Sequence, residues 1–303
     1  MISPTIKVKV MHIITMLELG GAQRNTLYTV EHLDRRSFEP VLVAGTGGIL
    51  DDEAKALVGV KSFLVKGLVR QINPILDIWA TIRLFLIIRK EKPDIVHTHS
   101  SKAGILGRIA AFLARTPVII HTFHGFGFND FQRPAVKRAF ILSEKITAKI
   151  SDCLIAVSKD NIETAVKNNI GRREQYVLIH SGIKISKYSN VELPLGFLES
   201  LGINPANKVV TTIGPFKPQK NLVDFIEFAK NVSEQVPEAV FLLIGDGEQR
   251  PLIEAKIAEL GMKDKVKLLG WRKDIPEIMS VTNVFVLTSL WEGLPILQIF
   301  MKL

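Results

Sequence analysis

Short apolar runs of strand length alternate along the chain with segments of helical period. The runs lack the polar alternation of a half-exposed strand, which indicates burial on both faces and hence a parallel sheet covered by helices. In the first part of the chain the pattern predicts strands at 7–15, 39–44, 60–65, 94–98, 117–122, 152–157 and 175–179, and helices at 21–34, 74–91, 102–115, 133–150 and 159–169.

A looser stretch, rich in glycine and proline and without sustained period, precedes a second round of the same alternation. We therefore predict an α/β protein of two tandem Rossmann-like, doubly wound domains. The predicted domains are 1–185 and 208–303, with 186–207 as a linker carrying a short helix. The second round consists of strands 208–213, 239–244, 265–269 and 283–288 and helices 219–235, 248–260 and 273–280.

The composition is that of an ordinary globular protein, with 47% hydrophobic and 23% charged residues in 303. A single cysteine excludes a disulfide framework and any multi-cysteine zinc module. The net charge of +9 would suit nucleic acid, an anionic membrane or a phosphorylated substrate, or only a solvated basic surface. Because no zinc-finger spacing, aromatic RNA motif or dense basic tract occurs, we expect no nucleic-acid partner.

No stretch approaches the roughly 20 apolar residues that span a bilayer, and no signal-peptide cleavage site is apparent. We therefore expect a cytoplasmic protein, with peripheral attachment to the inner face of the membrane as a candidate property. Helices 74–91 and 133–150 both combine apolar and basic residues, which is typical of a membrane-surface helix. Packing of either helix on its own sheet, with a solvated edge, is the competing interpretation.

Ligands of such sheets bind beyond the carboxyl ends of the strands. Gly20 and Gly21 follow the first predicted strand and open a helix, where backbone N–H groups can hold an anion. A simple tight turn explains the pair equally well. No G-x-G-x-x-G sequence is present, which disfavours a dinucleotide-dependent oxidoreductase.

Four of the seven histidines, His97, His99, His121 and His124, stand at two strand ends. The His-x-His pair 97/99 and the His-x-x-His pair 121/124 could together bind zinc, as in a zinc hydrolase, but no carboxylate or thiolate accompanies them. Strand-end histidines satisfied by backbone groups are the plainer interpretation. His124 lies in a glycine-rich loop beyond a strand, which favours a contact with substrate.

In the second domain, the segment 214–221 follows a strand and carries Lys217 and Lys220 at a helix start. Such a pair suits the binding of a diphosphate, although a solvated basic turn is an alternative. Glu292 follows the last predicted strand, where a carboxylate can accept hydrogen bonds from sugar hydroxyls. The alternative is a helix-capping segment with Glu292 in solvent.

Taken together, these motifs resemble a retaining, metal-independent glycosyltransferase of the GT-B fold, in family four, the glycosyl transferases group 1. The resemblance covers nearly the whole chain and rests on the order and spacing of the motifs in two tandem units. The matching segments are Gly20-Gly21, 94–99, 122–125, 152–158, 180–183, 217–221, 245–247 and 292–295.

The resemblance implies roles for single residues. His124 would lie near the donor sugar and the reacting centre, and Glu292 would hold hydroxyls of that sugar. Lys220 would neutralise the diphosphate leaving group. The donor-binding loops would include Gly20, Gly21, Lys217, Gly293 and Leu294. The N-terminal domain would take the acceptor and the C-terminal domain the nucleotide.

Three departures from the family pattern stand out. Pro215 occupies the usual position of an arginine, whose charge Lys217 would have to supply. Phe300 stands where a second glutamate would bind the nucleotide ribose, and a phenylalanine cannot accept a hydroxyl. The chain stops at Leu303 inside a predicted helix, so we expect the second domain to be incomplete and truncated.

We predict a glycosyltransferase of polysaccharide biosynthesis that moves a sugar, with retention and without metal or cofactor, from a nucleotide diphosphate sugar. The donor is expected to be UDP-linked, and the acceptor a cell-envelope glycan or lipid-linked saccharide. Two alternatives remain open at this point. One is a truncated, non-catalytic remnant with weak nucleotide binding; the other is a nucleotide-sugar epimerase of the same fold.

Overall fold

The computed structural model describes residues 7–182, 185–189 and 191–293. The contacts between residues divide the chain into two compact units, and the first boundary between these units follows Gly182. Each unit is built around a parallel sheet with helices on both faces, so the predicted α/β fold class is confirmed.

The first unit contains a seven-stranded parallel sheet. Strand β1 lies in its interior, with β2 and β3 on one side and β4 to β7 on the other. Because the chain leaves β1 in both directions, the sheet reverses its order between β1 and β4. The strands are β1 (Val8–Met16), β2 (Phe38–Gly45), β3 (Lys61–Val65), β4 (Ile95–His99), β5 (Val118–Phe123), β6 (Cys153–Ala156) and β7 (Tyr176–Leu178).

Alternate residues of β1 enter two different cores, which explains why both faces of the strand carry apolar residues. Met11 and Ile13 pack with helices α3 and α4 on one face, whereas Ile14 packs with α1 and α2 on the other. Helices α4 and α5 are in contact, and α6 follows β6. The helices of this unit are α1 (Gly21–His32), α2 (Asp51–Lys55), α3 (Pro74–Glu91), α4 (Ser101–Leu113), α5 (Pro134–Ala148) and α6 (Lys159–Lys167).

The second unit has a four-stranded parallel sheet in the order β10-β9-β8-β11. Here β8 is the strand from which the chain leaves in both directions. Its elements are α7 (Phe197–Ser200), β8 (Lys208–Ile213), α8 (Leu222–Gln235), β9 (Ala239–Ile244), α9 (Arg250–Glu259), β10 (Val266–Leu268), α10 (Ile275–Ser280) and β11 (Val284–Phe285).

Part of the predicted linker 186–207 packs into the second unit. Phe197, Leu201 and Ile203 are buried with β8, β9 and α10 in one of its two cores. A short helical turn at Ile185–Lys187 precedes this region. The predicted domain boundaries stay a prediction.

Three local features differ from the sequence pattern. The short helix α2 was not anticipated. The predicted helix 219–235 is divided at Asn221, whose φ of 47° separates a 3₁₀ turn at Pro218–Lys220 from α8. The predicted strand 283–288 pairs only over Val284–Phe285, because the chain beyond it turns to bond with residues 219–221.

No helix among the described residues is long and apolar enough to cross a membrane. Helix α3 is nevertheless apolar on more than one side. Ala80, Leu84 and Ile88 are buried against the sheet, whereas the apolar residues predicted for its membrane face are mostly exposed. The exposed ones are Ile75, Ile78, Trp79, Ile82 and Leu86.

A buried ion pair joins α4 to α5. The Arg108 Nη2 group donates to Glu144 Oε2 at 2.5 Å, and both side chains are almost fully buried. Arg108 Nε also donates to the Gly104 carbonyl oxygen. Burial raises the pKa of Glu144, while the arginine beside it opposes that shift.

We expect Arg108→Met to lower the free energy of unfolding by about 3–5 kcal/mol, because it leaves the Glu144 carboxyl buried without its cation. The double variant Arg108→Met/Glu144→Leu removes both groups and should recover most of that loss. Urea unfolding followed by circular dichroism measures both. Strictly additive losses in the double variant would show that the two groups do not act as a pair.

Candidate functional site

Each sheet brings loops together at the point where its strand order reverses, which is where open α/β sheets bind ligands. In the first unit this point lies between β1 and β4. Gly20 and Gly21 follow β1, Ser100 follows β4, and His124 follows the neighbouring β5. The Thr15 and Ser100 hydroxyls, 2.7 Å apart, join the two central strand ends.

The glycine pair stands at the start of α1, as predicted. Gly20 is the N-cap residue and Gly21 the first helical residue, and no side chain caps the helix within the described part of the chain. The Gly20 backbone is extended, so its φ does not require glycine. A Cβ there would instead lie 2.5 Å from Gln23 Oε1, the flexible end of a side chain. The donor-binding role of this pair stays a prediction.

The structure divides the predicted histidine cluster between the two faces of the sheet. His97 and His99 lie on one face, and His12, which is the register partner of His97, joins them there. His121 lies on the opposite face, where its Nδ1 is 2.9 Å from the Thr98 hydroxyl. The four strand-end histidines therefore do not converge on one zinc position.

Three imidazoles form a hydrogen-bonded chain instead. His12 Nδ1 lies 3.0 Å from His99 Nε2, and His99 Nδ1 lies 3.2 Å from His124 Nε2. The ring centres are 5.3 Å and 5.4 Å apart. Each of these distances exceeds the corresponding nitrogen–nitrogen distance by about the width of one ring, so in each pair the two nitrogens lie between the two ring centres. The rings of His12 and His99 are also tilted by only 12°, so they meet edge to edge, nearly in one plane. We name His12, His99 and His124 the imidazole chain.

His12, His97 and His99 also place one nitrogen each within 4.8 Å of the others, close enough to share a metal ion. In the arrangement seen, the facing nitrogens of His12 and His99 are hydrogen-bonded to each other, so both lone pairs cannot point at a metal. His97 uses its Nε2 on the Thr122 hydroxyl at 2.7 Å. A metal bound by all three residues would have to displace one of the two hydrogen bonds of His99, since both of its nitrogens are engaged.

Burial keeps these histidines neutral. It lowers the pKa of His12 to about 4 and that of His124 to about 4. The pKa values of His97, His99 and His121 also lie well below the ordinary value, first because of burial and then because protonation is disfavoured by the neighbouring histidines and, for His121, by Arg108. At neutral pH the cluster therefore offers hydrogen bonds and lone pairs rather than positive charge.

In the second unit, the strand order reverses between β8 and β11, and two predicted site residues meet there. Lys220 stands in the loop after β8 and Glu292 in the segment after β11. Lys220 Nζ donates to Glu292 Oε1 at 2.5 Å, and both side chains are partly exposed. An ammonium and a carboxylate are thus held together where a ligand of this sheet would bind.

Hydrogen bonds to backbone carbonyl oxygens hold this pair in place. The Leu290 N–H donates to the Gln219 carbonyl oxygen at 2.9 Å, and Gln219 Nε2 donates to the Trp291 carbonyl oxygen at 2.9 Å. Thr288 Oγ1 donates to the carbonyl oxygens of Lys220 and Asn221, each at 3.0 Å. These contacts tie the segment after β11 to the 3₁₀ turn.

Gly214 permits the close approach of Lys220. A Cβ at Gly214 would lie 2.7 Å from Lys220 Cε, so the lysine side chain packs over the glycine. Lys217 begins the same 3₁₀ turn. Gly293 is the last residue described, and Leu294 and Phe300 lie outside the described residues. The roles predicted for Lys217, Gly293 and Leu294 stay predictions.

Sequence reasoning missed His12 and the residues that hold the Lys220–Glu292 pair. His12 interrupts an apolar strand, which was a signal, but its register with His97 is a property of the folded sheet. Gln219 lies in the matching segment 217–221, but no role was predicted for it, and Thr288 lies outside the matching segments.

Comparison with known proteins identifies the chain. The sequence model of Glycosyltransferase Family 4 matches residues 19–187, and that of Glycosyl transferases group 1 matches residues 197–299. The chain belongs to glycosyltransferase family 4. This confirms the predicted family and the predicted enzyme class, a glycosyltransferase of the hexosyltransferase type.

Two curated relatives align with nearly all of this family 4 chain. It is 38% identical over 295 residues to an Escherichia coli protein named UDP-Gal:alpha-D-GlcNAc-diphosphoundecaprenol alpha-1,3-galactosyltransferase, covering 96% of this chain and 76% of that one. It is 24% identical to the Staphylococcus aureus capsular polysaccharide biosynthesis glycosyltransferase CapM, covering 94% and 74%.

Solved structures share the fold at low sequence identity. Anabaena HepE, solved in complex with UDP and glucose, matches with a TM-score of 0.78 at 19% identity, over 94% of this chain and 76% of that one. WaaG, a glycosyltransferase involved in lipopolysaccharide biosynthesis, matches with a TM-score of 0.76 at 14% identity, over 96% and 77%. The predicted pair of Rossmann-like domains is therefore the fold of known glycosyltransferases.

We expect acid to destabilise this protein through its buried histidines. His12 has a folded pKa of about 4, below the unfolded value of about 6.5, so the unfolded chain binds more protons between these values. Stability is therefore full above pH 6.5 and falls as the pH drops toward 4. His12 alone should cost about 2 kcal/mol of unfolding free energy between pH 7 and pH 5.

The variant His12→Asn isolates this contribution. Whatever its stability at pH 7, it should lose about 2 kcal/mol less than the unaltered protein on going to pH 5. Urea unfolding at the two pH values measures the difference. His32→Asn, which changes a histidine with a 45% exposed side chain, serves as the control. Equal losses in the unaltered protein and in His12→Asn would contradict the assignment.

Proposed function

We propose that this family 4 protein transfers a hexose from a UDP-sugar to a hydroxyl of a lipid-linked saccharide in the assembly of a cell-envelope glycan. The name of the E. coli relative supports both substrates, since that protein uses UDP-Gal and a diphosphoundecaprenol-linked GlcNAc. Anabaena HepE, with its bound UDP and UDP-glucose, supports a UDP-linked donor. UDP-galactose is accordingly the first donor to test.

The Lys220–Glu292 pair carries the proposal. A donor sugar nucleotide needs a cation beside its diphosphate and an acceptor of hydrogen bonds beside its sugar, and the reversal point of the second sheet offers both within 2.5 Å. When the donor binds, its diphosphate takes the ammonium and releases the carboxylate to the sugar hydroxyls. Lys220 can therefore exchange the Glu292 carboxylate for the diphosphate of the donor.

The chemistry follows from these charges. The acceptor hydroxyl oxygen forms a bond to the anomeric carbon while the bond from that carbon to the diphosphate oxygen breaks. Lys220 stabilises the negative charge that develops on the leaving diphosphate, a role that metal ions fill in other enzymes. We propose that the acceptor proton passes to the leaving oxygen, that the configuration is retained, and that neither metal nor cofactor takes part.

The direct test supplies radiolabelled UDP-galactose and a GlcNAc-diphospholipid in the presence of EDTA. We expect a labelled lipid product with an α linkage. Conversion of the UDP-sugar without acceptor would favour an epimerase, and UDP binding with no transfer from any UDP-hexose would favour a non-catalytic remnant. Loss of transfer in EDTA that Mg²⁺ restores would overturn the metal-free mechanism.

Two variants of the pair should separate its roles. Lys220→Met removes the charge opposite the diphosphate and should weaken UDP binding by about tenfold or more in calorimetry. Glu292→Gln removes the competing anion, so UDP should bind as well as before, while the rate of sugar transfer falls. Lys230→Met, on a partly exposed lysine of α8, is the matched control and should leave UDP affinity unchanged. Equal UDP affinity in Lys220→Met and Lys230→Met would exclude Lys220 as the diphosphate ligand.

We further propose that α3 and its neighbours attach the protein to an anionic membrane surface, where a lipid-linked acceptor resides. Helix α3 lies beside α4, and α4 beside α5. Their exposed residues combine apolar and basic side chains, a composition suited to anionic headgroups. They include Ile75, Ile78, Trp79, Ile82, Arg83, Leu86, Arg89 and Lys90 on α3, Phe112 and Leu113 on α4, and Arg138, Leu142, Ile146 and Lys149 around α5.

Flotation with vesicles tests this surface. The protein should float with phosphatidylglycerol vesicles and much less with phosphatidylcholine vesicles, because the basic residues require an anionic partner. Ile78→Ser/Ile82→Ser should reduce binding by about tenfold, since it removes apolar area that would be buried in the lipid. Leu252→Ser, at an equally exposed leucine of α9, is the control. Equal partitioning into both vesicle types, or no effect of the double variant, would contradict the proposal.

A further inference from the structure

The imidazole chain restricts how its protons can be arranged. Each neutral imidazole carries one N–H and one lone pair on its nitrogens. Each nitrogen of His99 is hydrogen-bonded to a different histidine, Nε2 to His12 and Nδ1 to His124. His99 must therefore donate to one neighbour and accept from the other. Only two patterns satisfy both hydrogen bonds, and they run in opposite directions along the chain.

The buried end of the chain distinguishes these patterns. His12 Nε2 is buried and has no hydrogen-bond partner among the described residues. If the protons ran from His124 toward His12, this nitrogen would carry an unsatisfied N–H. In the reverse pattern it carries only a lone pair, and orphaned N–H groups are the rarer of the two in protein interiors.

The favoured pattern fixes the state of His124. His12 Nδ1–H donates to His99 Nε2, and His99 Nδ1–H donates to His124 Nε2. A neutral His124 that accepts at Nε2 must carry its own proton on Nδ1. The state of a partly exposed imidazole is thus determined by a group two side chains away in the core.

The surroundings keep the rings in this orientation. The His97 ring packs against both partners, with its centre 4.9 Å from that of His12 and 4.3 Å from that of His99. The Thr122 hydroxyl in turn holds His97 Nε2. Rotation of the His99 ring would break two hydrogen bonds and this packing at once.

We propose that His12 and His99 are positioning residues that hold His124 as the Nδ1–H tautomer, so that it donates a hydrogen bond to an oxygen of the bound sugar. The proposal rests on the proposed function and on the contact with the donor sugar that the family resemblance implies for His124. Its own content is the direction of the hydrogen bonds and the dependence of His124 on two residues that do not touch substrate.

The tautomer can be observed without any substrate. Long-range ¹H–¹⁵N spectra of protein labelled in its histidine rings distinguish Nδ1–H from Nε2–H, and a His124→Gln spectrum assigns the His124 signals. We expect His124 to carry its proton on Nδ1 in the unaltered protein. A proton on Nε2 would overturn the proposal, whether or not the protein transfers sugar.

Two amide variants of His99 test the coupling to activity. The asparagine amide in His99→Asn stands near the position of Nδ1 and can still donate to His124. The longer amide in His99→Gln stands near Nε2 and cannot. We expect His99→Asn to keep the Nδ1–H state of His124 and most of kcat, and His99→Gln to lose both, with kcat lower by about tenfold.

The two variants have the same functional group, so a loss confined to His99→Gln is not explained by the mere removal of an imidazole. Equal kcat in both variants, at equal melting temperatures, would overturn the positioning role. Full activity of His124→Gln would do the same, even if the tautomer is as expected. If no UDP-sugar is transferred by the unaltered protein, the proposed function fails, while the spectra still decide the direction of the chain.

Discussion

The two central strands β1 and β8 determine where chemistry can take place in this protein. Each is covered by helices on both faces and has parallel neighbours on both sides, because the chain winds outward from it in two directions. At the carboxyl end of such a strand the following connections diverge, and a crevice is left between them. His12 and the glycine pair belong to β1 and its loop, and Lys220 belongs to the loop after β8.

The two crevices contain different chemistry because they differ in access to water. The histidines around β1 are buried, and burial disfavours the charged imidazole, so they remain neutral and satisfy one another by hydrogen bonds. Lys220 and Glu292 keep 14% and 22% of their side-chain surface exposed, so each ion retains part of its hydration and the attraction within the pair offsets the rest of the desolvation. Arg108 and Glu144 show the remaining case, in which full burial of charge is tolerated only as a close pair.

The sequence predicted the elements and their class well, because strands buried on both faces leave an unmistakable apolar pattern. It also selected His124, Lys220 and Glu292 from their positions after strands. It could not predict the pairing of His12 with His97, since strand order and register depend on long-range contacts. The zinc interpretation of the histidines did not foresee that His97 and His121 lie on opposite faces of the sheet. The sequence shows which residues alternate within one strand, but it does not show how two strands are aligned with each other.

The direction of the imidazole chain shows why a buried histidine in a first strand is worth its cost. An apolar residue in place of His12 would pack at least as well in the core. It would also not destabilise the folded protein at low pH, because it has no group that the unfolded chain could protonate. It would also leave His99 Nε2 without a partner, and His99 would then be free to carry its proton on either nitrogen. The polar group at position 12 therefore contributes little to the stability of the sheet and much to the uniqueness of the proton arrangement. That arrangement matters only at the partly exposed end of the imidazole chain, at His124, which can meet solvent or substrate.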